Sequence, residues 1–371
     1  MAAAALLAHP ILEKGSMRPS KSRFLAMQAT HPSIYDQLPA IVKRYQLPNN
    51  RKATIQILNS FLPFIALWVA MYVWRDVSIW LTIGLAIVNA FFLVRIFIIQ
   101  HDCGHQSFTA SRRANNLIGS TCSFLTFIPY RYWAKNHNYH HGHNGILSDH
   151  RDIGDINTLT VNEYSALSRF QKFKYRLFRS APVLFIIGPL VYIFFNNRFP
   201  LVRMKGWELA NRALLWNDFF LIVFHGALIY FLGWEAFTLV HFPIITAFGV
   251  IAIWFFYVQH QHEYTYKAWK SKWDYLTASI QGSSYYKLPR FFHWLSGNIG
   301  YHHIHHLNSL VPNYELARCH HENPIFDQVA VSLTFRQSLQ CIFNKLWDED
   351  KGKMIGWREY ARMQKKEMAG I

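Results

Sequence analysis

Three bunches of histidine carry the chemistry of this chain: His101-Asp-Cys-Gly-His105, His137-Asn-Tyr-His140-His141 and Tyr301-His302-His303-Ile-His305-His306, out of 20 histidines in 371 residues. Residues at i, i+3 and i+4 share one face of a helix. H-x-x-x-H therefore offers two imidazoles and H-x-x-H-H offers three, so three such bunches bring eight ring nitrogens toward one place.

Eight imidazoles exceed the needs of one ion, because zinc sites take about four ligands and first-row metals seldom more than about six. Two metal ions are the natural reading. Imidazole suits iron in either oxidation state, and neutral rings leave bound ions with a high net positive charge, which is the setting for oxygen activation. The Glu-x-x-His pairs of soluble di-iron carboxylate bundles are not found near the boxes.

The elements that must position these side chains are membrane helices. Hydrophobic residues make up 51% of the chain and aromatic residues 17%. Thr54 to Trp74 and Val77 to Ile99 are runs long enough to cross about 30 Å of hydrocarbon at about 1.5 Å per residue, and their short connection makes them a hairpin. Ala213 to Gly233 and Ala236 to Val258 form a second pair, although Asn217, Asp218 and His225 weaken its first member. Ala181 to Phe195, interrupted by Gly188 and Pro189, reaches only about 22 Å as a helix. One shared centre also requires an even number of crossings between the boxes, so this segment and Leu117 to Ile128 are expected to lie along the interface.

Charge sets the orientation. Met1 to Lys52 carries eight Lys or Arg against two acids, whereas the connectors Arg75-Asp76 and Gly233-Trp234-Glu235 together carry one base and two acids. The positive-inside rule then puts the arm, both termini and the boxes in the cytoplasm. The formal net charge of +17 suits an anionic leaflet, where each basic residue near the surface gains roughly 1 kcal/mol. No nucleic-acid-binding motif accompanies the charge. Phe170 to Arg179 alternates basic and apolar groups at helical spacing and reads as a helix lying on the membrane. Cys103, Cys122, Cys319 and Cys341 show no C-x-x-C pairing, and a reducing compartment is expected. The first twelve residues have no basic leader and contain His9 and Pro10, so the mature chain is expected to begin near Met1.

Gln100 to Phe108, Pro129 to His141, Gly154-Asp155-Ile156 and His302 to Leu316 resemble the integral-membrane fatty acid desaturase family, in particular its acyl-lipid branch that makes delta-12 or omega-6 double bonds. With the membrane segments the resemblance covers roughly residues 50 to 320. It implies an all-α integral membrane protein with four transmembrane helices in two hairpins, interfacial helices and a cytoplasmic helical cap holding a di-iron centre. The expected divisions are an arm (1–52), hairpin 1 (53–100), a region with two boxes (101–212), hairpin 2 (213–258) and a C-terminal region with the third box (259–371).

By the same resemblance the metal ligands are His101, His105, His137, His140, His141, His302, His305 and His306, and these eight are the catalytic set. A ninth ligand is expected from Gln259-His260-Gln261-His262-Glu263, with His262 favoured over His260. His303 falls out of register, leaving it to a supporting or an exposed place; His143 and His150 are assigned to the loop. Asp102, Asp149, Asp152 and Asp155 are candidates to accept the free ring N–H of ligating histidines. His225, His241 and Arg95 are costly inside apolar runs but stay off the site, since arginine can snorkel and a neutral histidine can hydrogen-bond within the bundle.

The implied activity is oxygen-dependent desaturation of a membrane-lipid acyl chain, using two iron ions, O2 as co-substrate and an external donor, either ferredoxin or a small b-type cytochrome with its reductase. His9-Pro10 and His31-Pro32 lack the glycines of a fused cytochrome's haem-binding signature. A hydroxylase or ketolase on the same scaffold would share every ligand. A non-enzymatic metal-binding membrane protein such as a zinc transporter would place its ligands at mid-membrane rather than in boxes outside the spans. Tags placed at Ser20, Thr160 and Lys365 should all report the cytoplasm, and a tag between Arg75 and Ser78 the opposite side. Finding Thr160 and Ile280 on different faces would contradict the interfacial placement of Ala181 to Phe195.

Overall fold

A computed structural model describes residues 35–148 and 150–369. The arm up to residue 34, Asp149 and residues 370–371, and with them the readings made on Met1 to Leu12 and on Asp149, lie outside the described residues. The chain is predominantly helical: α1 (Leu38–Lys43), α2 (Asn50–Val73), α3 (Ile79–Gly104), α4 (Arg112–Thr126), α5 (Tyr130–His143), α6 (Val161–Ala166), α7 (Arg169–Phe178), α8 (Gly188–Phe194), α9 (Glu208–Leu232) and α10 (Phe242–His260) lead to shorter helices. These are α11 (Tyr275–Gln281), α12 (Arg290–Leu295), α13 (His302–Leu307), α14 (Asn313–Glu322), α15 (Ile325–Val329), α16 (Phe335–Gln340) and α17 (Trp357–Met368). Two small strand pairs are added: β1 (Ser284–Lys287) lies parallel to β2 (Val331–Thr334), and β3 (Leu346–Asp348) antiparallel to β4 (Lys353–Ile355).

Among the described residues four helical spans are long and apolar enough to cross a membrane: α2, α3, α9 and the continuous stretch Ala236–His260, which opens with a π-helical turn and continues as α10. They form the two expected hairpins. Ile55, Leu62, Val69, Trp216, Phe220 and Ile222 are exposed, as the lipid-facing side of such helices must be. α3 is the most enclosed of the four: Leu93, Ile96 and Ile99 are fully buried in one core with Phe64 of α2 and Ile244, Ile245 and Phe248 of α10.

Polar contacts fix the register of the bundle, and inside an apolar bundle each such group must find a partner. Asn89 donates to the Phe64 carbonyl at 3.2 Å, and the Tyr72 hydroxyl donates to the Leu232 carbonyl at 2.6 Å, joining the hairpins. Arg95 does not snorkel; its guanidinium donates to Ser60 Oγ, to Asn59 Oδ1 and to the Trp294 carbonyl, and sits 4.0 Å from the centre of a Trp294 ring. Asn217 Oδ1 in α9 accepts from Ser123 Oγ at 2.8 Å, and Asp218 pairs with Arg198.

Two helices run further than their apolar stretches. The run expected to end at Ile99 continues helically to Gly104, and the one expected to end at Val258 continues to His260. Histidine and glutamine at these ends retain ordinary helix propensity; only their hydropathy changes.

The segments expected at the interface are helical. α7 begins with a capping box, Ser168 accepting from the Gln171 N–H while Gln171 accepts from the Ser168 N–H, and it exposes Phe170, Phe173, Leu177 and Phe178. The chain bends by 58° between α7 and the stretch Val183–Arg198. α8 then packs on α10, where Gly249 leaves just enough room for Pro189 and Ile193.

Candidate metal centre

Each box sits on a short helical segment that delivers its rings inward. His101 lies on the last turn of α3, and the N–H of His105, which caps that helix, bonds back to the His101 carbonyl. His137, His140 and His141 share one side of α5, and His302, His305 and His306 one side of α13. The entry to α5 is fixed by Gln100, whose amide donates to the Ile128 carbonyl at 2.8 Å and accepts from Thr126 Oγ1 at 2.8 Å.

The eight predicted box histidines converge, and each is at most 8% exposed. His101, His105, His137, His141 and His305 form one group whose potential ligand atoms all lie within 4.8 Å of one another; His140, His260 and His306 form a second. His302 belongs beside the second group, its Nε2 lying 2.9 Å from His260 Nε2 and 3.1 Å from His306 Nε2. The His140 to His260 Nε2 separation is 3.3 Å.

The structure brings His260, and not the sequence-favoured His262, into the second group. His260 is carried by the last turn of α10 and turned inward, whereas His262 lies beyond the helix end, buried but outside both groups. With both residues placed after the apolar run that ends at Val258, the sequence leaves their rotation open. The Nδ1 of His260 lies 2.9 Å from the Gly282 carbonyl, which orients the ring and leaves Nε2 for the cluster.

Metal fits these residues. Imidazole nitrogens about 2.1 Å from a common ion would stand roughly 3.0–3.4 Å apart at angles between square and tetrahedral, and the separations of 2.9, 3.1 and 3.3 Å match. Buried ring nitrogens without a hydrogen-bond partner include His101 Nε2 and both nitrogens of His105 and His305. A buried polar atom left unpaired costs about 1–3 kcal/mol, so a cluster of them calls for an occupant. Burial, followed by the neighbouring imidazoles, pushes the basicity of His137, His141, His305 and His306 well below the ordinary histidine value. They stand neutral and ready to donate lone pairs.

The supporting acceptors are more selective than the sequence implied. Asp102 Oδ1 lies 2.9 Å from His101 Nδ1, while its Oδ2 accepts from the backbone N–H and the side-chain amide of Asn313 at 2.6 and 2.7 Å. One carboxylate thus ties the first box to the segment after the third. Asp155 accepts from the Ile156 N–H at 2.6 Å; burial would raise its carboxyl, but the nearby Lys267 ammonium, helped by that hydrogen bond, holds it below the usual carboxylate range. Asp152 is exposed.

Other histidines stay outside the centre. His303 is fully buried rather than exposed, 3.4 Å from His320 Nδ1. His143 stacks on Tyr139, and His150 lies in an exposed turn. His225 and His241 approach each other, ring centres 5.3 Å apart, beside a cavity of about 140 Å³ with Phe64, Trp68 and Leu125 in its wall. All four cysteines are free and buried.

Fold and site together define a membrane protein with four apolar spans among the described residues, built around two adjoining groups of metal-ready imidazoles. Its relatives are in keeping with this: residues 78–335 match the model of the fatty acid desaturase family. The chain is 42% identical over 323 residues, 87% of its length and 90% of the relative's, to a fatty acid desaturase of Bacillus subtilis. It is 24% identical over 327 residues (82% and 86%) to an sn-1 oleoyl-lipid 12-desaturase of a Picosynechococcus strain, and 27% identical over 233 residues (60% and 62%) to an sn-1 acyl-lipid omega-3 desaturase (ferredoxin) of a Synechocystis strain. The chain belongs to the fatty acid desaturase family, and it is an enzyme.

Because His260 and His262 are neighbours with opposite placements, they discriminate cleanly. His260→Ala should lose about one of two bound metal ions, while His262→Ala should retain both. Metal analysis of the purified variants reads the difference, and loss from His262→Ala alone would contradict the assignment.

Proposed function

We propose that this desaturase introduces a cis double bond into an acyl chain esterified to a membrane lipid, using two iron ions, O2 and electrons from a separate donor. The observation that carries the reading is the division of the histidines into two adjoining groups. His101, His105, His137, His141 and His305 would hold one iron, and His140, His260, His302 and His306 the other. When bound, the pair supplies the oxygen activation needed to remove hydrogen from two adjacent methylenes. The balance is one alkane segment, O2, two electrons and two protons giving one alkene and two waters.

The chain's own residues bind, orient and shield. Asp102 fixes the ring of His101, the Gly282 carbonyl fixes that of His260, and burial of every box histidine keeps bulk water from the reacting carbon. Unactivated methylenes are chemically alike, so position alone selects one pair. A lipid-borne substrate suits the exposed aromatic side of α7 and its lysines and arginines, which would hold the enzyme against anionic headgroups.

The finer reading is delta-12 or omega-6 insertion into a chain that is already monounsaturated. It is supported by the box sequences and by the name of the Picosynechococcus relative; the more similar Bacillus protein's name gives no position. For the donor, the name of the Synechocystis relative supports ferredoxin, and a small b-type cytochrome is the alternative. A cytoplasmic position of the boxes and both termini, which the excess of Lys and Arg in the arm supports, would suit either donor.

Expression in a host supplying defined saturated and monounsaturated chains, followed by fatty-acid profiling, tests the reading. A second cis bond on the methyl side of the first is expected, dependent on oxygen and absent from His101→Ala, His140→Ala and His305→Ala. Monoenes formed only from saturated chains would move the assignment to first-bond insertion, and hydroxylated chains would replace desaturation by hydroxylation.

A further inference from the structure

Arg179 is a fully buried arginine that the reaction does not use. It follows α7, its N–H bonding to the Tyr175 carbonyl at 2.9 Å, and its side chain runs inward. Nη1 donates to the Asn157 carbonyl at 3.3 Å and to Thr158 Oγ1 at 3.4 Å. Nη2 donates to Gln261 Oε1 at 3.0 Å, to the Asn344 carbonyl at 2.9 Å and to the Tyr257 hydroxyl at 3.4 Å. Among the described residues no carboxylate forms an ion pair with it, and Lys345, another buried cation, donates to its carbonyl at 2.6 Å. Burying a charge without a counter-ion is costly unless hydrogen bonds satisfy it. Here the planar fork collects acceptors from three chain segments, which a lysine ammonium could not span.

Those three segments meet at one residue. The Gln261 side chain also accepts from Thr158 Oγ1 at 3.1 Å, its carbonyl accepts from Asn344 Nδ2 at 2.7 Å, and its N–H closes the last turn of α10 on the Tyr257 carbonyl at 2.8 Å. Gln261 therefore has almost no freedom. Its neighbour is His260, whose Nε2 stands 2.9 and 3.3 Å from His302 and His140. Histidine at a helix end would otherwise fray with the final turn, as helix termini do.

We propose that Arg179 is a positioning residue for His260, acting through Gln261, so that it secures the metal site of His140, His260, His302 and His306 and not the five-histidine site. This rests on the two-iron reading given above. It links the end of the amphipathic helix α7, by way of Gln261, to one half of the centre.

The test measures iron per chain during a chelator challenge of purified full-length protein, with thermal melting as a check on folding. Arg179→Gln should release one of the two irons roughly 10-fold faster than wild type, the size usual for losing a residue that orients a ligand. Gln261→Met should do the same, and the double variant should be no worse than either, the mark of one shared pathway. Arg179→Lys should not rescue. Lys345→Met removes an adjacent buried cation without touching Gln261 and should keep wild-type release. If Arg179→Gln fails to fold, Gln261→Met against Lys345→Met decides. Wild-type release from Gln261→Met, loss of both irons together, or equal loss from Lys345→Met would overturn the proposal. Wild-type protein that binds no iron would instead remove the reading beneath it.

Discussion

Everything in this fold answers to one constraint: nine imidazoles must be crowded into one buried volume. Ring nitrogens 2.9 to 3.3 Å apart leave no room for two N–H groups to face each other. Desolvation disfavours the cation at His137, His141, His302, His305 and His306, and neighbouring imidazoles disfavour it further. Such a cluster is unfavourable as an empty cavity and favourable as a ligand set. The surrounding chain must hold it together against that cost.

The holding is done from four directions. α3 and α10 end at the centre, so the end of α3 carries His101 and His105 and the last turn of α10 carries His260, while α5 and α13 supply the other six rings. Each joint has a buried polar tie: Asp102 to Asn313, Gln100 to the start of α5, and Arg179 to Gln261. These ties link segments far apart in sequence, so they fix tertiary geometry where helix propensity alone could not. The two groups of rings then sit side by side with different surroundings, one near Asp102 and Trp133, the other near Asp155 and Phe256.

Much of this was legible in the sequence. Hydropathy runs located all four spans, since about 20 apolar residues have few other uses, and the i, i+3, i+4 spacing identified which box histidines face together. The choice between His260 and His262 was not legible, because the end of an apolar run is not the end of a helix; hydropathy reports lipid contact, whereas helix continuation depends on backbone bonding. His303 illustrates a related limit. Its register correctly removed it from the centre, but only the placement of His320, seventeen residues on, shows it buried. Arg179 looked like the last basic residue of a surface helix, because nothing local distinguishes an arginine that turns inward from one that faces water. The partners that make its burial tolerable, Asn157, Gln261 and Asn344, are scattered along the chain.

The central claim is that the two groups of histidines hold a pair of irons. Metal analysis and Mössbauer spectroscopy of active protein, expressed with iron-57 and purified without added metal, test it most directly. The account predicts about two irons per chain, giving signals from two sites of unlike coordination. One tightly held zinc and no iron in active protein would contradict it.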